Sequence, residues 1–141
     1  MDNQVRVNPV LSATIVRGGR IAAHVDNNPA TRRAALRALP AVLRQRFDAQ
    51  AAGDLNAVVE LRVSASEGGP EARFRLEIAD GELHVTRTSA PEAQAWLSAS
   101  LGDMIRIVSG NEGLWELLSQ KRLDFGGEPF TALRMPAVLR L

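Results

Sequence analysis

The order of hydrophobic periodicities along the chain predicts an α+β fold: one five-stranded, mostly antiparallel sheet with helices packed on one face. Three observations lead there. A stripe at helical spacing (Leu36, Leu39, Leu43, Phe47) precedes a run of period-two segments. An Asp80-Gly81 pair joins two of those segments in a register that their apolar residues also demand. After residue 100 the helical period returns, broken by one more short strand before a last helix.

Bulk composition agrees. A chain of 141 residues with 45% hydrophobic and 23% charged residues has the balance of one globular domain. It has no cysteine, which removes disulfides, thiolate metal sites and cysteine nucleophiles. A net charge of +1 offers no global field for nucleic acid, and aromatics at 4% with no tyrosine supply no stacking surface, so a nucleic-acid partner is not expected. Charge is uneven: residues 1–50 hold eight Arg against three acids, and residues 51–141 hold nine Lys/Arg against thirteen acids. No apolar run nears the roughly 20 residues of a membrane span. The first residues lack a signal-peptide layout, and Leu139-Arg140-Leu141 is not a Ser-Lys-Leu address, so a cytoplasmic location is expected.

Residues 1–30 read as an N-terminal extension ahead of a domain over residues 31–141. Residues 10–16 and 20–25 are apolar-rich around Arg17-Gly18-Gly19, which suggests a hairpin, with a flexible arm as the alternative. Helical period runs over residues 31–51. Pro40 cannot donate to the preceding turn, so two short helices are expected, the second opening at Pro40, or one kinked helix. Val59, Leu61 and Val63 then alternate with Glu60 and Arg62, and a loop follows at Glu67-Gly68-Gly69-Pro70. Phe74, Leu76 and Ile78 alternate with Arg73, Arg75 and Glu77 up to Asp80-Gly81. A two-residue turn there pairs Ile78 with Leu83 and Leu76 with Val85, giving a three-stranded meander with one apolar and one wet face.

Residues 93–99 form a fourth strand candidate, with Ala93, Ala95, Leu97 and Ala99 on one side. Ser100 and Asp103 have capping-box spacing ahead of a helix bearing Leu101, Met104, Ile105 and Val108 and ending at Gly110. Asn111 is placed to cap a short helix with Leu114, Trp115 and Leu118 on one face. Residues 121–125 form the last strand, closed by Gly126-Gly127. Pro129 suits the first turn of a final helix carrying Phe130 and Leu133, which Pro136 limits.

From about Ala34 onward, this order and its punctuation resemble the sterol carrier protein type 2 family. The matching pieces are the helix ending near Phe47, Gly53-Asp54-Leu55-Asn56, Asp80-Gly81, and Ala95-Trp96-Leu97-Ser98-Ala99-Ser100. Further on, Asp103-Met104-Ile105, Ser109-Gly110 and the run from Lys121 through Leu123, Phe125 and Gly127 look like that family's helix, glycine and closing strand. Where the family often has Gly-Asp this chain has Gly127-Glu128, and residues 1–27 have no counterpart. The resemblance implies a hydrophobic cavity between sheet and helices that holds a fatty acyl chain, a sterol or an isoprenoid-like lipid.

No motif for chemistry competes with that reading. His24 and His84 are far apart without metal-ligand spacing, and no nucleophile elbow or phosphate loop occurs, so no catalytic residue, metal or cofactor is expected. The residues expected to face one another across sheet and helices are Leu61, Leu76, Ile78, Val85, Leu97, Leu101, Met104, Ile105, Val108, Leu114, Trp115, Leu118, Phe125, Phe130 and Leu133. Amphipathic faces often simply pack. With the resemblance, these residues become the candidate ligand contacts, softened by Met104 and Met135 and by small Ala93, Ala95 and Ala99. Arg33, Arg37 and Arg44 share one side of the first helix and could meet a ligand head group or a membrane. Trp96 falls on the polar side of its strand, where residues 10–25 or a second subunit would cover it.

The expected function is therefore non-catalytic binding of an apolar small molecule, by a carrier or by a subunit presenting it to a partner enzyme. A cyclase or isomerase in the same cavity is the alternative and would need an acid or base inside it. A third reading is a filled core whose Trp96 face binds a protein.

Overall fold

The computed structural model describes residues 29–64 and 71–141. The hairpin or arm expected at residues 10–25, His24 and the loop at Glu67-Gly68-Gly69-Pro70 lie outside the described residues.

The stripe Leu36, Leu39 and Leu43 is buried along one continuous helix, α1 (Pro29–Arg46), with Phe47 partly buried beyond it. The helix runs through Pro40 rather than restarting there. The burial of three leucines along this stripe outweighs the one backbone hydrogen bond that Pro40 cannot make. The break falls at Asp48 instead, whose carboxylate accepts the N–H groups of Gln50 (3.0 Å) and Ala51 (3.2 Å) to cap α2 (Ala49–Ala52).

Strands β1 (Ala57–Ser64), β2 (Ala72–Ala79) and β3 (Glu82–Thr86) form the expected meander. Ile78 pairs with Leu83 and Leu76 with Val85. Asp80 (φ 54°) and Gly81 (φ 74°) both adopt the left-handed conformation that a tight two-residue hairpin requires. Strand β4 (Ala95–Ser100) lies parallel to β1, and β5 (Leu123–Gly127) lies antiparallel to β4, giving the order β3-β2-β1-β4-β5. Ala93 precedes β4 rather than starting it, because its N–H closes a turn onto the carbonyl of Ala90.

Between β4 and β5 lie α3 (Leu101–Val108) and α4 (Leu114–Ser119), and α5 (Pro129–Val138) follows the sheet. Ser100 caps α3 by accepting the Asp103 N–H at 3.1 Å. The Asp103 side chain does not complete a capping box; it accepts from Arg106 at 2.9 Å and from Arg122. Arg122 also reaches Glu112 at 2.9 Å, so one ion-pair cluster ties α3 and the loop before α4 to β5. The hydrogen bonds that Arg122 donates to Asp103 and then to Glu112 hold its pKa above the usual arginine range.

Two helix faces differ from expectation. Asn111 does not cap α4; its side chain donates to the Ser109 hydroxyl at 2.7 Å, and the helix starts after Gly113, whose N–H donates to Glu116 at 2.9 Å. Leu114 and Leu117 consequently turn inward, Leu118 is half-buried, and Trp115 faces outward at 57% exposure. In α5 the buried residues are Thr131, Ala132, Met135 and Val138, while Phe130 and Leu133 are exposed. Side-chain size suggested the reverse, but hydrogen bonds fix the rotation: Thr131 donates to Glu128, and Arg134 donates to the carbonyls of Ala51 and Ala52 at 2.8 Å. Pro136 does not end the helix, which continues to Val138.

The wet face of the sheet is also more closed than expected. Glu60 is only 2% exposed. Its carboxylate accepts from Arg62 (2.6 Å), Arg73 (3.1 Å) and the Ala90 N–H (2.8 Å). His84 is exposed beside Glu82, at 3.3 Å.

Candidate functional site

The helices and the apolar face of the sheet enclose one prominent cleft. Its floor is Val59 and Leu61 of β1, Leu76 of β2, Ala95 and Leu97 of β4 and Phe125 of β5. Strand alternation puts these side chains on one face, so their direction follows from period two alone. The walls are Leu43 of α1, Met104 and Val108 of α3, and Ala132 and Met135 of α5, with Leu139 and Leu141 closing one end. Trp96, whose side chain lies on the other face of the sheet from Leu97, also borders the cleft, and none of these fourteen described residues has an ionisable side chain.

The cleft measures about 470 Å³ with its open mouth included. Met104 of α3 and Met135 of α5 both line the cleft, and unbranched thioether side chains repack with little strain. Ala95 and Ala132 keep the backbone close where larger residues would fill the gap. Among the described residues the lining offers apolar contact and no ionisable side chain.

Of the residues expected to meet there, Leu61, Leu76, Leu97, Met104, Val108 and Phe125 do so. Ile78, Leu101, Ile105 and Leu114 are buried in the surrounding core, and Val85 and Leu118 pack at its margin. Trp115, Phe130 and Leu133 point away from the cleft into solvent. Met135 and Ala95, expected to soften the pocket, line it as well, and Leu43, Val59, Trp96, Ala132, Leu139 and Leu141 join the lining without having been named. Leu43, Val59 and Ala95 carried the right periodic signal. Leu139 and Leu141 had none, since the fold-back that brings them in depends on Arg140 at φ 54° and on Arg46, which donates to the Leu139 carbonyl at 3.3 Å and to that of Arg140.

Arg33, Arg37 and Arg44 are all exposed on α1, the helix that supplies Leu43. Trp96 is half-buried on the opposite face of the sheet from Leu97. The Arg62 guanidinium stacks on its ring, 4.6 Å from the centroid, and Gly126 lies beneath it. A Cβ at residue 126 would fall 2.7 Å from the ring, so only glycine permits this approach. Arg62 and Gly126 thus supply part of the cover that the sequence left to residues 10–25 or a second subunit.

The sheet order and helical layer are those of sterol carrier protein domains, as comparison with solved structures shows. The structure matches sterol carrier protein 2 from Yarrowia lipolytica in its apo form (TM-score 0.57, 17% identity, 72% of this chain and 87% of that one). It also matches palmitated sterol carrier protein 2-like 2 from Aedes aegypti (TM-score 0.55, 15% identity, 71% and 93%). A third match is the inverting sec-alkylsulfatase Pisa1 from Pseudomonas sp. (TM-score 0.56, 16% identity), where 70% of this chain corresponds to only 15% of the sulfatase. No curated protein sequence matches. The model of the SCP-2 sterol transfer family matches residues 37–140, and the chain belongs to that family.

Proposed function

We propose that the protein binds the apolar chain of a lipid in this cleft and carries it without chemical change. The observation that carries the reading is the lining: fourteen residues drawn from four strands, three helices and the C-terminal turn, none of them ionisable. Burying one methylene is worth about 0.8 kcal/mol, so an aliphatic chain can bind there through contact area alone. A cyclase or isomerase would need a proton donor or acceptor, and the described lining residues include no ionisable side chain. The palmitated state of the Aedes aegypti relative, a protein of this fold, supports a fatty acyl ligand. The exposed Arg33, Arg37 and Arg44 are the cations that α1 offers to an anionic head group.

Displacement of a fluorescent fatty acid tests this. The wild-type protein is expected to bind the probe saturably, one per chain, and Ala132→Phe is expected to abolish binding by filling the cleft while the protein still unfolds cooperatively. Unchanged binding by Ala132→Phe, or no saturable binding by the wild type, would count against the reading. Native mass spectrometry of the purified protein checks it independently, through a bound lipid mass.

A further inference from the structure

The cleft lining reaches solvent at two places. Of the described residues that face it, Phe125 and Leu141 are half-buried and the others are buried. Phe125 lies on β5, at the margin of the described sheet, and Leu97 and Leu61 are its neighbours in a row across the strands. Leu141 belongs to the far side of that row. Its turn follows α5 and is tied to α1, the helix that packs against β3.

The turn holds its side chains in place through its backbone. Arg140 takes the left-handed conformation (φ 54°), its N–H donates to the Ala137 carbonyl at 3.3 Å, and the Leu141 N–H donates to the Pro136 carbonyl at 2.8 Å. This pair of bonds closes a helix and folds the next residue back along it. Glycine is the common left-handed residue in such a closure. Here it is Arg140, whose guanidinium lies 3.8 Å from the Asp48 carboxylate. From the other side, Arg46 of α1 donates to the carbonyls of Leu139 and Arg140. The turn is therefore bonded to both helices that flank it, and Leu141 is carried back to the cleft beside Leu43, Met135 and Leu139.

We propose that Leu141 is a specificity-determining residue: it is the end wall that the tip of a bound acyl chain meets, and it sets the longest chain that the cleft takes in full. The inference rests on the lipid binding proposed above. A chain that enters beside Phe125 and crosses Leu97 and Leu61 runs toward α1, and the bonded turn stands across its path. Apolar contact has no preferred direction, so the number of methylenes buried depends on where the wall stands.

Displacement of a fluorescent fatty acid from the full chain by unlabelled saturated acids, from octanoic to stearic, tests this. In wild type each added methylene is expected to tighten binding about fourfold until the chain meets the wall, where affinity levels off. Leu141→Ala shortens the wall by three carbons. Its profile is expected to keep rising for about two or three methylenes more, so that the longest acids gain on the order of tenfold over octanoic acid relative to wild type. Leu141→Phe is expected to level off earlier. Leu133→Ala, on the exposed face of α5, is expected to level off where wild type does. The two Leu141 variants move the wall in opposite directions, so either one that keeps a cooperative melt decides the matter. Loss of packing alone would shift every acid by one common factor. Profiles that level off at the same length in wild type and in the Leu141 variants would overturn the assignment and leave the carrier reading standing. A profile that Leu133→Ala extends equally would overturn it too. A wild type that binds no acid saturably would overturn both readings.

Discussion

Glu60 shows how a single side chain can be legible in direction and illegible in environment. Alternation with Val59 and Leu61 places it on the polar face, and it is there. Its burial comes from afar: the Ala90 N–H, thirty residues away, and Arg73 on the neighbouring strand close over it. Burial pushes its carboxyl pKa up. The Ala90 N–H, the Arg62 hydrogen bond and the charges of Arg73 and Arg62 more than offset this and hold it below the ordinary value. A lowered folded pKa means that this stabilisation is present above the ordinary carboxylate range and is lost as pH falls through the folded value. Glu60→Gln should cost about 1–3 kcal/mol in urea unfolding at neutral pH. The gap from wild type should shrink as the solution is acidified below the carboxylate range. A constant gap at every pH would contradict this account of Glu60. Trp96 carries the same lesson: its face was readable, but not the stacking of Arg62 or the space left by Gly126, since both depend on strand neighbours.

At the level of elements, strands were read more faithfully than short helices, for a geometric reason. A strand has two faces, so a one-residue error in its end leaves every side chain on its proper side. A six-residue helix has no such tolerance. Moving the start of α4 from a cap at Asn111 to one at Gly113 went with an inward turn of Leu117 and an outward turn of Trp115. Leu117→Ala should therefore destabilise the protein by about 2–5 kcal/mol, as large-to-small core changes do. Trp115→Ser should stay within about 0.5 kcal/mol, as an exposed change does. Thermal unfolding of the two variants checks the assignment, and the opposite ranking would refute it. The helical stripe of α1 was legible, but its continuity through Pro40 was not, because periodicity alone does not show that three buried leucines outweigh one proline. In α5 the small inward Ala132 was passed over for larger Phe130 and Leu133, because polar bonds, and not hydrophobic size, set its rotation.

For the whole molecule, the meander and the antiparallel pairing at Asp80-Gly81 could be read from residue pattern alone. The parallel pairing of β4 with β1 was not read from the sequence, since nothing local encodes it. The cleft divides the same way. Its floor follows from strand alternation, whereas the end formed by Leu139 and Leu141 depends on a fold-back beyond the reach of periodicity. If contact area drives binding, affinity should rise with fatty-acid chain length by about 0.8 kcal/mol, roughly fourfold, for each added methylene until the cleft is full. A flat chain-length profile would mean that the head group, not the chain, supplies the affinity.

The most direct measurement is solution NMR of protein labelled at the methionine methyls, titrated with a carbon-labelled fatty acid. Contacts from the chain methylenes to both Met104 and Met135, with saturation at one ligand per protein, are the predicted result. Contacts confined to exposed residues such as Phe130, with the Met104 and Met135 methyls unmoved, would show that the lipid never enters between the helices and the sheet.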